Sequence, residues 1–329
     1  MKPFGIVQPE TVSQACELLA QFGAKAKVLA GGTDLLYILK ERMEGTLLPV
    51  PEVLIDISKI EPLHRLQYRN GKGVELGALT RLSELADGKL LPNYSILRQA
   101  SRVIATPQIR NMATLGGNLC QRPWCWYFRG HYDCLKKGGT TCYAYYRDNR
   151  QHAILAGGPC YMVHPSDMAP ALIAMKAEVK IVGCKGTKEI PMEDFFIRPS
   201  QDMSRENVLE PDEILTSVNV PEPAPNTRGT YAKTRIRGSW DFALTSAAVV
   251  VQLIGNRCLD CRIVLGGVAP LPYRSKSAEE ALRGNEVSEK TIGEAMKASV
   301  KGIEPLKLNS YKVALVQGLL QEALSALAH

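Results

Sequence analysis

The stretch LAGGTDLL, residues 29–36, places two adjacent glycines between an apolar run and a helix-like run. Glycines allow a tight turn with exposed backbone N–H groups, and the N-terminus of a following helix attracts anions. The loop therefore suits a pyrophosphate. An ordinary strand-to-helix turn capped by Thr33 or Asp34 explains the same residues, and is the favoured interpretation of this motif alone. Because GxGxxG is absent, a Rossmann dinucleotide fold is not indicated.

The segments around this loop alternate between helical and strand-like patterns. Apolar residues at helical spacing predict helices, and short apolar runs predict buried strands. Helices are predicted at 11–22, 34–43 and 95–111, and strands are predicted at 26–30 and 53–58. The segment 73–88 is predicted to be a strand followed by a helix, and the segment 164–183 a helix followed by a strand. This order predicts an α/β architecture for the first part of the chain.

A second glycine pair occurs in ATLGGN, residues 113–118. Two Gly-Gly loops in one α/β region favour a ligand that carries both a polyphosphate and a ribose, although neither loop identifies it.

PEPAPNT, residues 221–227, is the clearest linker, because three prolines in seven positions can neither continue a helix nor pair in a central strand. A chain of 329 residues is also too long for one core of usual size. Three strands are predicted beyond the linker at 229–237, 242–254 and 261–269, followed by helices at 277–284, 291–303 and from about 312 onward. This pattern predicts a C-terminal α+β domain.

The formal charge of +7 arises from 40 basic and 33 acidic residues that are interspersed. This distribution favours a solvated surface over a nucleic-acid interface. No run reaches the roughly 18 apolar residues of a membrane span, and the N-terminus lacks the apolar core of a secretory signal. We therefore predict a cytoplasmic protein, with export to the periplasm on a partner subunit as the alternative.

Five motifs carry a family resemblance when they are taken together. They are LAGGTDLL at 29–36, TPQIRNMATLGGNL at 106–119, HPSDMAPALIAM at 164–175, KTRIRGSWDFALTSAAV at 233–249 and RIVLGGVAPLPYR at 262–274. In order and spacing, the chain resembles the FAD-binding medium subunit of molybdenum hydroxylases, a family that includes xanthine dehydrogenases, carbon monoxide dehydrogenase, aldehyde oxidoreductases and 4-hydroxybenzoyl-CoA reductase. The resemblance covers essentially the whole chain.

The resemblance implies an α+β fold in which a two-subdomain FAD-binding region of the vanillyl-alcohol-oxidase/PCMH type precedes a small C-terminal α+β domain. It places the FAD-binding domain at 1–223, with an insertion at 119–165, and a domain of the CO dehydrogenase flavoprotein type at 228–329. Residues 30–36 would contact the FAD pyrophosphate. The implied FAD-binding residues are Leu29, Ala30, Gly31, Gly32, Thr33, Asp34, Leu35, Thr106, Ile109, Ala113, Thr114, Gly117, Asn118, Ser166, Asp167 and Lys233. Asp167 could also be a helix N-cap.

The cysteines are the second conspicuous feature of the sequence. Nine are present, an odd number for a disulfide scaffold, and five of them fall between residues 120 and 160. Such clustering without a secretory signal favours a metal site over disulfides. The intervals between Cys125, Cys134, Cys142 and Cys160 match none of the common zinc patterns.

The insertion resembles the 4Fe-4S loops of 4-hydroxybenzoyl-CoA reductase and, more closely, of periplasmic aldehyde oxidoreductase. This resemblance implies that Cys125, Cys134, Cys142 and Cys160 bind a 4Fe-4S cluster and that Cys120 is spare. A structural zinc site or free thiols are the alternatives. Four nearby cations would offset the cluster charge, namely Arg122, Arg129, Lys136 and Lys137. The separate CxxC at 258–261 is interpreted as structural, at a turn and the start of a strand.

The resemblance implies an oxidoreductase subunit without catalytic residues of its own, which uses non-covalent FAD and the cluster to pass electrons during aldehyde oxidation. The implied partners are a large subunit with molybdenum cofactor, a small subunit with two 2Fe-2S clusters, and an external electron acceptor. The same subunit in a xanthine or purine dehydrogenase, or in a hydroxybenzoyl-CoA reductase, is the alternative. A zinc-containing non-enzymatic binding protein is a further alternative function. The late motifs do not favour an independent flavin oxidase, because they match the multi-subunit enzymes.

Overall fold

The computed structural model describes residues 1–88, 90 and 92–328, so the predicted C-terminal boundary at His329 lies outside them. The strands are β1 Gly5–Val7, β2 Ala26–Leu29, β3 Val53–Asp56, β4 Leu66–Arg69, β5 Gly73–Gly77, β6 Glu178–Gly183, β7 Gly186–Pro191, β8 Ile214–Val220, β9 Thr227–Thr234, β10 Thr245–Ile254, β11 Arg257–Gly266 and β12 Tyr273–Arg274. The α-helices are α1 Val12–Phe22, α2 Leu35–Lys40, α3 Leu82–Ala86, α4 Ser95–Arg102, α5 Pro107–Met112, α6 Leu115–Cys120, α7 Trp126–Arg129, α8 Tyr143–Tyr146, α9 Met168–Ala174, α10 Met192–Phe195, α11 Lys276–Leu282, α12 Glu289–Ser299 and α13 Tyr311–Ala328. Short 3-10 helices occupy Gly23–Lys25, Glu61–His64, Pro92–Tyr94 and Leu135–Lys137.

The N-terminal part contains a small parallel sheet in the order β1-β3-β2. Helix α1 begins at a capping box in which Thr11 and Gln14 exchange side-chain and backbone hydrogen bonds. Its buried face, Ala15, Cys16 and Leu19, packs in a hydrophobic cluster with β3. This layer presents the loop that follows β2, where LAGGTDLL lies.

A five-stranded antiparallel sheet in the order β4-β5-β8-β6-β7 forms the second layer. The largest hydrophobic cluster packs this sheet against α3, α4, α6 and α9. Helix α9 is buried along its whole length, because MAPALIA has no polar face. The start of α9 is therefore held firmly beside α6, where ATLGGN lies.

The C-terminal part is an antiparallel sheet in the order β12-β11-β10-β9, packed against α11, α12 and α13. Within it, Leu253 pairs with Cys258 while Gln252 pairs with Asp260, so Leu259 is left as a bulge. The bulge turns Cys258 and Cys261 to the same face, and both thiols are buried in the hydrophobic core.

Several element boundaries differ from the sequence predictions. Helix α2 ends at Lys40 rather than residue 43, because Arg42 has a left-handed φ of 53° that cannot continue a helix. The CxxC lies at the start of a strand, as predicted, but within β11 and not at a turn, because β11 begins at Arg257. The last residue of the predicted linker, Thr227, already pairs in β9. The Gly-Gly pair at 116–117 lies in the first turns of α6 rather than in a loop.

Candidate functional site

The two glycine motifs touch each other through their backbones. A Cβ atom on Gly31 would lie 2.0 Å from the carbonyl oxygen of Met112 and 3.1 Å from the Cα of Ala113. Gly32 has a left-handed φ of 70°, which favours glycine. Glycine at both positions therefore lets the loop after β2 lie directly against the segment that leads into α6.

Two threonines cap the helices α5 and α6, between which this contact lies. The Thr106 hydroxyl accepts a hydrogen bond from the Ile109 N–H at 3.4 Å, and the Thr114 hydroxyl accepts one from the Gly117 N–H at 3.1 Å. These bonds begin α5 and α6, and Ala113 joins the two helices. The predicted residues from 106 to 118 thus form one continuous, locally capped unit.

Asn118 links α6 to the start of α9. Its Oδ1 accepts a hydrogen bond of 2.6 Å from the Ser166 hydroxyl, whose oxygen accepts one of 3.0 Å from the Ala169 N–H. Ser166 therefore caps α9. Asp167 occupies the N-cap position but its side chain makes no capping bond, so the N-cap interpretation of that carboxylate is wrong.

The Asp167 carboxylate is instead bound by the C-terminal domain. Its Oδ1 accepts a hydrogen bond from the Tyr231 hydroxyl at 2.6 Å, and its Oδ2 lies 2.7 Å from Lys233 Nζ. Lys233 also donates to the Val103 carbonyl oxygen at 3.2 Å. Burial, together with the Asp167 charge, raises the pKa of Tyr231 well above its ordinary value. Tyr231 was missed in the sequence because no motif marks it.

Asp34 reaches in the opposite direction, toward the cysteine-rich insertion. It occupies the N-cap position of α2 without making a capping bond. Its Oδ1 lies 2.6 Å from Arg129 Nη1, and its Oδ2 accepts a hydrogen bond of 2.8 Å from the Arg122 N–H. Both carboxylate oxygens are thus bound by residues of the insertion.

The loop suits the pyrophosphate of FAD in donor chemistry, because glycines leave backbone N–H groups accessible to an anion. The close contact between Gly31 and the Met112 backbone holds this loop against the segment that begins α6, so the two Gly-Gly segments lie together. The structure places Ala30, Gly31 and Gly32 on this loop, half-buried, with Thr33 exposed. Leu29 ends β2 and Leu35 begins α2, and both are half-buried. The fold also brings the loop into contact with the segment 106–118, and Asn118 into contact with Ser166.

The four cysteines assigned to the cluster surround one small cavity. Cys125, Cys134, Cys142 and Cys160 all line it, together with aromatic and aliphatic side chains. Its free space is about 10 Å³, room for about one water molecule. Cys120 does not line it.

Three of these cysteines stand at the start of a single helical turn. Cys125 precedes α7, Cys134 precedes the 3-10 helix Leu135–Lys137, and Cys142 precedes α8. Backbone N–H groups of the turn that follows each of these cysteines act to lower the pKa of its thiol, and the Met162 N–H acts in the same direction on Cys160. N–H groups directed at sulfur stabilise the thiolate form, which is the form that binds metals.

The acidities of the thiols reflect their closeness. Burial raises the pKa of Cys125 to about 12 and also raises the pKa of Cys134. A hydrogen bond with Cys160 lowers the pKa of Cys142 to about 6, and the same bond raises the pKa of Cys160. All nine cysteines are free thiols. In donor chemistry the set suits iron-sulfur clusters or zinc.

The sulfur atoms nevertheless do not form a ready-made metal cage. Within residues 1–88, 90 and 92–328, no group of three or more His, Cys, Asp or Glu side chains has the arrangement of a metal site. The thiols therefore share a cavity without the spacing of bound ligands.

Three of the four basic residues around the cavity already have carboxylate partners. Arg122 lies 3.1 Å and Lys136 lies 2.7 Å from the buried Glu206, and Arg129 pairs with Asp34. Lys137 donates to the Gly130 carbonyl oxygen. That these cations offset cluster charge stays a prediction. The contacts of Arg122, Arg129 and Lys136 also hold the insertion to its surroundings.

His152 is the residue near the cysteines that sequence reasoning missed. Its Nε2 lies 3.2 Å from Cys125 Sγ, and its ring packs against Trp126 and Tyr127. Burial, with a contribution from Lys312, lowers the pKa of His152 to about 4. It lies 27 residues from Cys125 in the chain, so no local spacing signalled the contact.

The fold is of mixed helix and sheet, as the sequence predicts, and Gly31 of the first Gly-Gly segment lies against the backbone that leads into the second. Residues 2–223 match the family model described as the FAD binding domain in molybdopterin dehydrogenase. Residues 230–327 match the CO dehydrogenase flavoprotein C-terminal domain. The chain belongs to the family of FAD-binding subunits of molybdopterin dehydrogenases, and the predicted family is confirmed.

The relatives are subunits of oxidoreductases. The chain is 33% identical to the aldehyde oxidoreductase FAD-binding subunit PaoB of Escherichia coli, over 99% of this chain and 98% of that one. It is 28% identical to the carbon monoxide dehydrogenase medium chain of Hydrogenophaga pseudoflava, over 97% and 94%. A solved structure of carbon monoxide dehydrogenase from that organism superposes with a TM-score of 0.78 at 28% identity, covering 99% of this chain and 97% of the other. The predicted fold class is confirmed.

In the part of the chain that the structure describes, no helix is both long enough and apolar enough to span a bilayer.

Proposed function

We propose that this chain is the FAD and 4Fe-4S electron-transfer subunit of a molybdenum hydroxylase that oxidises aldehydes. The observation that carries the proposal is the joint presence of a glycine loop in an FAD-binding domain and four free thiols around one cavity. The relative at 33% identity, an aldehyde oxidoreductase FAD-binding subunit, supports the substrate class.

FAD is the cofactor that exchanges electron pairs and single electrons. In our proposal Gly31 and Gly32 offer their backbone to the pyrophosphate, while Thr114 and Gly117 hold the adjoining helix start in place. Ser166 and Asn118 fix α9 beside it. Lys233 holds the Asp167 carboxylate and orders the wall of the site nearest the C-terminal domain. The other residues that we propose to contact FAD are those that the resemblance implies, namely Leu29, Ala30, Thr33, Asp34, Leu35, Thr106, Ile109 and Ala113.

Asp34 contributes through its backbone, because both oxygens of its carboxylate are already bound by the insertion. The domain limits are proposed at 1–223, with the insertion at 119–165, and at 228–329.

The 4Fe-4S cluster is proposed to bind Cys125, Cys134, Cys142 and Cys160. Four thiolates can hold such a cluster when a loop wraps around it. The backbone N–H groups directed at the sulfurs would stabilise the negative charge. Tyr127 and Phe128 line the cavity and would keep water away.

The proposed partners are a large subunit with molybdenum cofactor, a small subunit with two 2Fe-2S clusters and an external electron acceptor. The chain lacks the C-x4-C-x2-C spacing of plant-type 2Fe-2S proteins. We place the assembly in the cytoplasm, with the periplasm as the alternative if a partner subunit carries it across the membrane.

Single Cys→Ser replacements test the cluster assignment. We expect Cys125→Ser, Cys134→Ser, Cys142→Ser and Cys160→Ser each to lower iron and labile sulfide from about four per chain to well under half, because a serine hydroxyl is a poor ligand for iron. FAD content should stay close to that of the wild type. Iron, sulfide and flavin would be assayed on anaerobically purified full-length chains.

Cys184→Ser is the matched control, because Cys184 is an exposed free thiol far from the cavity in sequence. It should retain both iron and FAD. Full iron content in all four cavity variants would contradict the assignment, and zinc in place of iron in the wild type would favour the structural alternative.

A further inference from the structure

The contact between Asp34 and Arg129 joins the two sites described above. Asp34 belongs to the glycine loop, whereas Arg129 ends the helical turn that begins at Cys125. The two charged groups lie 2.6 Å apart, and the Arg129 side chain is only 7% exposed. A contact this close and this sheltered is sensitive to the position of both segments.

Arg129 uses its whole guanidinium fork in this position. Nη1 binds Asp34, Nη2 donates to the Arg122 carbonyl oxygen at 2.7 Å, and Nε donates to the Pro123 carbonyl oxygen at 3.0 Å. Its backbone N–H donates to the Cys125 carbonyl oxygen at 2.8 Å. A lysine cannot reproduce bonds in three directions from one planar group.

The second oxygen of Asp34 strengthens the same connection. It accepts the Arg122 N–H, and the Arg122 side chain pairs with Glu206, which also binds Lys136. Lys136 follows Cys134 in the chain by two positions, within the 3-10 helix that Cys134 precedes. The carboxylate of Asp34 is thus connected to two of the four cysteine-bearing turns.

From this geometry we infer that Arg129 is a positioning residue that couples FAD binding at the glycine loop to the order of the cysteine site. The inference rests on the proposed function, since it needs FAD at the loop and iron at the cysteines. Filling either site fixes the Asp34–Arg129 contact and thereby favours the filled form of the other. By thermodynamic linkage the effect is equal in both directions.

The coupling is measured as the FAD dissociation constant of the iron-depleted protein divided by that of the iron-loaded protein. FAD would be titrated into full-length protein with iron present and into the same protein after anaerobic chelation of iron. In the wild type we expect iron to tighten FAD binding by about fivefold or more. In Arg129→Gln and in Arg129→Lys the ratio should fall to about one. A purely structural role would weaken FAD binding equally with and without iron and leave the ratio unchanged.

Asp34→Asn tests the other end of the contact, with the electron paramagnetic resonance signal of the reduced cluster as its readout. We expect FAD to sharpen or shift that signal in the wild type but not in this variant. Arg150→Gln is the matched control. Arg150 pairs with Asp148 at 2.6 Å in the same insertion, but its side chain is 64% exposed, so the wild-type ratio should persist.

The outcomes separate this inference from the function on which it rests. A wild-type chain that binds neither FAD nor iron would overturn both. A wild-type chain that holds both, with a ratio near one, would overturn the coupling and leave the function intact. An undiminished ratio in the Arg129 variants would do the same. If Arg129→Gln fails to fold, Arg129→Lys and Asp34→Asn decide the question.

Discussion

Replacing Gly31 with alanine is expected to weaken FAD binding by about tenfold or more and to lower the free energy of unfolding by about 1–3 kcal/mol. The new Cβ atom would lie 2.0 Å from the Met112 carbonyl oxygen. That atom belongs to backbone and cannot rotate away, so the glycine loop and the start of α6 must move apart. The change would be measured by FAD titration of the apoprotein and by urea unfolding.

Gly293→Ala is the control for this prediction. Gly293 lies inside α12, and a Cβ atom there would meet nothing within 4 Å. Because alanine is the better helix former, the free energy of unfolding of this variant should rise by about 0.5–1 kcal/mol. Its affinity for FAD should equal that of the wild type. Unchanged FAD affinity in Gly31→Ala would show that the cofactor does not use the contact between the two glycine motifs.

Lys233→Met is expected to lower the free energy of unfolding by about 3 kcal/mol. The Lys233 and Asp167 side chains are 2% and 4% exposed, and removal of one partner leaves a buried charge without its counterion, which costs about 3–5 kcal/mol. The lower end applies here because Tyr231 still donates to the carboxylate. The double variant with Asp167→Asn should recover part of the loss, because no charge is then left alone.

A second ion pair provides the matched control. Lys176 and Asp260 are 2.8 Å apart, but their side chains are 55% and 37% exposed. Lys176→Met should therefore lower the free energy of unfolding by less than about 1 kcal/mol. Equal losses in the two lysine variants, measured by urea unfolding, would mean that burial does not determine the strength of the Asp167–Lys233 pair.

Local patterns in the sequence were sufficient for most elements of the fold. The helical spacing of 11–22 matches α1, and the apolar runs at 26–30 and 53–58 match β2 and β3. The boundaries that failed depended on features that no residue type marks. The bulge at Leu259 follows from pairing with β10, and the early end of α2 follows from the left-handed conformation of Arg42.

The candidate site was predictable only in part for the same reason. The glycines and cysteines are marked by their residue type and by clustering, so their segments stood out. Their partners do not stand out: Tyr231 lies 64 residues from Asp167, and Arg129 lies 95 residues from Asp34. Tyrosine and arginine are common surface residues, and only the folded chain shows that these two are buried beside a carboxylate.

The most direct test of the whole account is the flavin, iron and sulfide content of the wild-type chain, purified anaerobically and recorded together with its absorption spectrum. We predict about one FAD with about four iron and four labile sulfides per chain. A chain that carries FAD with zinc or without metal would remove the cluster from the proposal, and a colourless chain that cannot be reconstituted with FAD would contradict its central claim.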